Sequence, residues 1–180
     1  MKKKNDSLKS LIVLISICLV IAVAMAVINS VTAPKIDEAS KKAEQEALRT
    51  VLADATEFEK IEGDYPETVK AVYFDMGGSG CAVMVSAKGY DSSNPMSIAV
   101  GVGNDGKIVK VHVVSCSGET TGIGTKVSEE GFLSLFTGAD SSMNGVDAIS
   151  GATISSSAFI DAVADACEAA NRVMQEDGRS

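Results

Sequence analysis

Seven residues, Asp147-Ala148-Ile149-Ser150-Gly151-Ala152-Thr153, lead directly into a stretch whose apolar side chains recur at helical spacing. A helix that begins there presents N–H groups without internal partners, and the positive end of its dipole, to whatever lies in front of it. Together these features suit an anion such as a phosphate. Gly151 and Ala152 keep the backbone uncluttered for close approach, while Thr153, Ser155, Ser156 and Ser157 add hydroxyl donors. The same composition also describes an ordinary helix N-cap, where Ser and Thr are expected. On local physics the N-cap is the commoner outcome. A second segment, Gly118-Glu119-Thr120-Thr121-Gly122-Ile123-Gly124-Thr125, is rich in residues that tolerate unusual backbone angles. It reads equally as a backbone nest for an anion or as a turn.

The elements that must position these segments are legible in part. Ser155 to about Met174 reads as a helix, with Phe159, Val163, Ala166, Cys167, Ala170 and Met174 on one stripe. Four β-rich runs precede the glycine loop: Val69 to Phe74, Cys81 to Ala87, Met96 to Val102 and Ile108 to Val114. Asn104-Asp105-Gly106 between the last two is a hairpin signal. In the fourth run Val109, Val111 and Val113 share one face, with Lys110 and His112 on the other. His112 therefore reads as a polar-face residue of a half-buried strand rather than a catalytic base. A short amphipathic stretch, Glu129 to Phe136, follows the loop. Upstream, Pro34 opens a helical stretch to about Phe58, its apolar face running from Ile36 to Ala55. The expected fold class is α+β: an N-terminal transmembrane helix, then a domain with an antiparallel sheet and flanking helices set to one side.

Leu11 to Ile28 is eighteen residues without a charge, close to the length that spans a bilayer. Lys2, Lys3, Lys4 and Lys9 precede it, opposed only by Asp6, so the tail should stay cytoplasmic and the rest should lie outside. A cleaved signal with Ala24-Met25-Ala26 as its site is the rival; the length of the run favours a retained anchor. The expected organisation is a basic tail at 1–10, an anchor at 11–31, a juxtamembrane helix at 32–60 and an extracytoplasmic domain at 61–180. Overall charge is −8, and the part from Val31 onward holds 12 of the 16 basic but 23 of the 24 acidic residues. No basic stripe exists to neutralise phosphates, so nucleic acid is not an expected partner. One histidine and the lack of paired cysteine spacing argue against zinc and iron–sulfur sites. Cys18 falls in the anchor, leaving Cys81, Cys116 and Cys167 outside it. Cys167 reads as a small buried residue, and Cys116, just before the glycine loop, as a packing or redox residue.

Asp147 through Thr153 resembles the flavinylation motif of FMN-binding domains, D-x-x-[ST]-G-A-T. Glu119 through Gly124 resembles the second signature of that family, E-T-P-G-L-G, with Thr121 where proline is usual and Ile123 where leucine is usual. The order of tail, anchor, helix, sheet, glycine loop and final helix is similar to the G-subunit family of Rnf ion-translocating electron-transport complexes. The NqrC-type subunits of Na⁺-translocating NADH:quinone reductases share both signatures. The resemblance implies FMN bound covalently, through a phosphoester to Thr153, after transfer from FAD by an ApbE-type flavin transferase. It implies a flavin site of Ser150, Gly151, Ala152 and Thr153 together with Glu119, Thr120, Thr121 and Gly122. It implies a single-pass subunit of the cell membrane that is not catalytic alone. Such a subunit relays electrons between other subunits of a complex that oxidises reduced ferredoxin, reduces NAD⁺ and moves Na⁺ or H⁺ outward. An FMN-dependent extracytoplasmic reductase component and a flavin-free anchored anion-binding module are the remaining alternatives.

Overall fold

The computed structural model describes residues 2–176. Met1 and residues 177–180 lie outside the described residues, as do the side chains of residues 2–8, so the start of the basic tail and the end of the 61–180 domain fall there. Helix α1 is Lys2–Val51, and strands β1 to β5 are Phe58–Ile61, Val69–Asp75, Cys81–Ala87, Met96–Val102 and Ile108–Ser115. After a 3₁₀ turn at Gly124–Ser128 come the short α2, Glu130–Leu133, a second 3₁₀ turn at Ser134–Phe136, and the long α3, Thr153–Glu176. The chain divides into two compact units, Met1–Lys42 and Ala43–Ser180.

The first unit belongs to α1. It holds a stretch long and apolar enough to cross a membrane, and its apolar side chains from Leu11 to Val31 are exposed. Pro34 lies inside the helix rather than at its start. Its missing N–H forgoes one bond to the preceding turn, yet the helix continues through it without a break.

In the second unit the five strands form one antiparallel meander in the order β1-β2-β3-β4-β5. Alternation along β3 and β4 sends Cys81, Val83, Val85, Met96, Ile98, Val100 and Val102 to one face, where they meet Phe159, Val163, Ala166, Cys167 and Ala170 of α3. The opposite face is built from small residues, Ala71, Ala82 and Ala99 with Met84, and carries Ala47, Leu48 and Val51 from the end of α1 together with Leu52. Gly101 has no side chain where the carbonyl of Val51 approaches, which lets helix and sheet close together. Helices thus cover both faces of the sheet, not one side as expected. That is why β3 and β4 are buried almost without interruption rather than in alternation.

Two further elements differ from the sequence pattern. The helix before the sheet stops at Val51, seven residues short of Phe58, and the chain then enters β1. Asp75, at the end of β2, accepts the backbone N–H groups of Thr56 at 3.0 Å and Glu57 at 3.4 Å, and so draws that segment away from helical bonding. In β5, Gly101 pairs with Lys110 and Val102 with Ile108, leaving Val109 as an extra residue. This bulge turns Ile108 and Val111 into the core and Val109 outward, at 46% exposed, so the three valines do not share a face.

Asp75 is fully buried and also accepts N–H groups from Gly77 at 3.0 Å and Ser79 at 2.9 Å. Burial alone would push its carboxyl up, but the donors from Ser79, Gly77 and Thr56 outweigh that and hold it at about 2, against 3.8 for the free group. A depressed folded-state value stabilises the fold above pH 3.8 and loses that contribution as pH falls toward 2. The contribution is about 2 kcal/mol. Asp75→Asn should lower the urea midpoint at neutral pH and flatten the acid limb of the stability curve. An unchanged midpoint and acid limb would remove Asp75 from this role.

Candidate functional site

α3 begins at Thr153, two residues after Gly151, which takes a left-handed conformation, φ +82°, with open space where a side chain would stand. Ala152 donates its N–H to Ile149 O at 3.0 Å, closing the turn that feeds the helix. Ser156, one turn in, accepts the Ile149 N–H at 3.0 Å and donates to Ala152 O at 2.8 Å. It fastens the loop to the helix start from inside. Ser155 is buried and donates its hydroxyl to Glu119. Ser157 is half-buried. Thr153, unlike all three, is exposed, and its hydroxyl, unlike those of Ser155 and Ser156, makes no hydrogen bond among the described residues.

The glycine loop folds tightly against this helix start. Thr120 O accepts the N–H of Ile123 at 3.1 Å and of Thr125 at 3.3 Å, while Gly122, φ +77°, donates to Thr125 Oγ1 at 2.9 Å. Gly124 leaves room for its neighbours: a Cβ there would sit 2.6 Å from Glu119 Oε2 and 2.9 Å from Ser155 Oγ, so one of these side chains would have to shift.

Between the loop and the helix lies an open cavity of about 490 Å³ lined by Tyr90, Thr120, Ile123 and residues 151–155. That volume falls within the roughly 300–1,000 Å³ usual for ligand sites. Among the residues expected from sequence, the structure brings Gly151, Ala152, Thr153 and Thr120 to the cavity. Glu119 is buried beside it and does not line it. Ser150, Thr121 and Gly122 are exposed and adjacent in sequence but outside the lining. Tyr90 and Ile154 join it without a sequence signal, Ser155 joins it as one of the hydroxyls noted at the helix start, and Ile123 does so from within the second signature. Tyr90, Ile123 and Ile154 are 70%, 50% and 63% exposed, so the cavity mouth offers flat apolar surface beside the helix start.

No lysine or arginine lines the cavity. A phosphate here would be held by first-turn N–H groups and hydroxyls. A planar, mostly apolar ring with a phosphate tail matches both halves of the cavity, so the residues present fit FMN.

His112 is half-buried and lines a different cavity of about 350 Å³ with Lys110, Ser128, Glu130 and Ser134. No disulfide is formed among the described residues. The Cys167 thiol is buried, and burial followed by the charge of Asp140 pushes it up to about 11, which suits a packing residue. No group of three or more His, Cys, Asp or Glu that could hold a metal occurs among the described residues.

Residues 89–168 match the FMN-binding domain family, a span that includes Tyr90, the glycine loop and the start of α3. The chain is 28% identical to a Methanosarcina acetivorans protein named as the G subunit of an ion-translocating oxidoreductase complex, covering 93% of this chain and 96% of the relative. It is 26% identical to a Clostridium ljungdahlii protein named as the G subunit of a proton-translocating ferredoxin:NAD(+) oxidoreductase complex, covering 84% of each. The chain is therefore a homologue of the G subunits of ion-translocating oxidoreductase complexes, with an FMN-binding domain at its site.

Proposed function

We propose that this chain is the FMN-carrying electron-transfer subunit of a membrane ion-translocating oxidoreductase of the ferredoxin:NAD⁺ type. In this reading the flavin is joined through its phosphate to Thr153 by an ApbE-type transferase, α1 anchors the chain, and the FMN-binding domain lies outside the cytoplasm. The observation that carries the reading is the state of the hydroxyls at the start of α3. Ser155 and Ser156 are buried and bonded to protein atoms, whereas Thr153 is exposed, lines a ligand-sized cavity and has no hydrogen-bond partner for its hydroxyl among the described residues.

Each residue has a physical part. Thr153 supplies the oxygen, which is a weak nucleophile alone and so depends on an external transferase for activation. Gly151 leaves room for the phosphate, and the first-turn N–H groups balance its charge. Tyr90, Ile123 and Ile154 offer apolar walls that shield a ring from water. Bound FMN would supply reversible electron transfer, at a potential tuned by those contacts. A covalent tether prevents loss of the cofactor on the outer side of the membrane, where none is available to replace it.

Expression beside an active flavin transferase should give a band that still fluoresces yellow after denaturing electrophoresis. Protease added to intact spheroplasts should remove that band. A dark band would overturn covalent attachment, and a protected one would reverse the orientation.

A further inference from the structure

Glu119 is only 6% exposed, an unusual depth for a carboxylate. Its two oxygens serve different segments. Oε1 accepts the backbone N–H of Tyr90 at 3.1 Å, in the connection between β3 and β4. Oε2 accepts the hydroxyl of Ser155, in the first turn of α3. Glu119 itself opens the loop that carries Thr120 and Ile123. One side chain thus ties together the three segments that surround the Thr153 cavity. The chain also makes space for it on two sides, since a Cβ on Gly89 or on Gly124 would run into the Glu119 carboxylate.

We propose that Glu119 is a positioning residue of the flavin site, holding the Tyr90 and Ile123 walls against the start of α3. A flavin tethered at Thr153 then rests between those walls instead of swinging on its link. The proposal rests on the reading of Thr153 as the attachment residue. Glu119 acts through Tyr90 and Ser155 and does not touch the cavity.

The chemistry of the pair defines the variants. A glutamine side chain has the same length; its oxygen can accept from Tyr90 and its NH₂ can donate to Ser155 Oγ. Glu119→Gln therefore keeps both links, Glu119→Ala keeps neither, and Ser155→Ala breaks one.

The full chain, expressed with an active flavin transferase and solubilised in detergent, is read three ways: intact mass for attachment, iodide quenching of flavin fluorescence for shielding, and deuterium exchange of a peptide spanning Tyr90. All variants should keep covalent flavin. Glu119→Ala should raise the quenching constant about fivefold or more, as expected when a hydrogen-bonded wall opens locally. Glu119→Gln should stay close to the parent, with Ser155→Ala between the two. Tyr90 exchange should accelerate in Glu119→Ala and not in Glu119→Gln, in flavin-loaded protein and in a flavin-free Thr153→Ala background. Unchanged quenching and exchange in Glu119→Ala would overturn the proposal, and so would a Glu119→Gln variant as open as Glu119→Ala. If the parent itself carries no covalent flavin, the Thr153 reading fails instead. The Tyr90 exchange then still decides whether Glu119 holds the walls.

Discussion

Thr153→Ala should abolish covalent flavin while leaving the fold intact. The hydroxyl it removes has no hydrogen-bond partner among the described residues, and the residue is exposed at a helix start. A change of that kind costs stability only within about 0.5 kcal/mol, and alanine is the best helix former. Intact mass should show the bare polypeptide, the denatured band should be dark, and electron flow through the complex should drop to background. Thr153→Ser, which keeps an oxygen in the same place, should regain attachment. Ser155→Ala and Ser156→Ala are informative controls because both hydroxyls are already engaged, with Glu119 and with Ala152 O. They should cost stability and keep the flavin. Retention of covalent FMN by Thr153→Ala would sink the assignment, and its loss from Ser155→Ala or Ser156→Ala instead would move the attachment along the helix.

The parts of this molecule visible in its sequence are those governed by short-range pattern. Cys81–Ala87 and Met96–Val102 begin and end where their apolar runs do, and the Asn104-Asp105-Gly106 hairpin forms with Gly106 at φ +74°. α3 begins at Thr153, two residues before the periodic stretch that announced it. The parts not visible depend on partners far along the chain. β1 exists because Asp75 captures the N–H groups of Thr56 and Glu57, 19 and 18 residues away, and its own residues, Phe-Glu-Lys-Ile, carry no strong strand signal. Burial of both sheet faces follows from Val51 reaching Gly101, which no local window contains. The site divides the same way. Thr153, Gly151 and Thr120 sit in recognisable segments, while Tyr90 lies in a polar turn and reaches the cavity only because Glu119 holds it. Glu119 belongs to the second signature and lies buried beside the cavity, outside its lining. Motif spacing places it in the right loop without showing which way the side chain turns.

Phe159→Ala should be strongly destabilising, and it should leave the flavin chemistry alone. Phe159 is fully buried on α3, its ring 5.5 Å from that of Phe132 and 5.4 Å from that of Phe136, and Phe132 and Phe136 are 5.2 Å apart in an edge-on arrangement. These three rings pack α3 against the segment that carries α2 and the 3₁₀ turn after it. Truncation of such a residue costs about 3–5 kcal/mol, from lost transfer energy plus the cavity left behind. A typical domain has only about 5–15 kcal/mol of stability in all. Phe159→Leu keeps more of the volume and should cost clearly less. Urea titration of the solubilised protein measures both. Phe159 is six residues from Thr153, so it lies about 9 Å along the helix from the attachment point and does not line the cavity. The folded fraction of Phe159→Ala should therefore still accept flavin, the opposite pattern to Thr153→Ala, which folds and accepts none. A loss below about 1 kcal/mol for Phe159→Ala would contradict the packing described for α3. Full stability together with loss of flavin would place Phe159 in the site and not in the core.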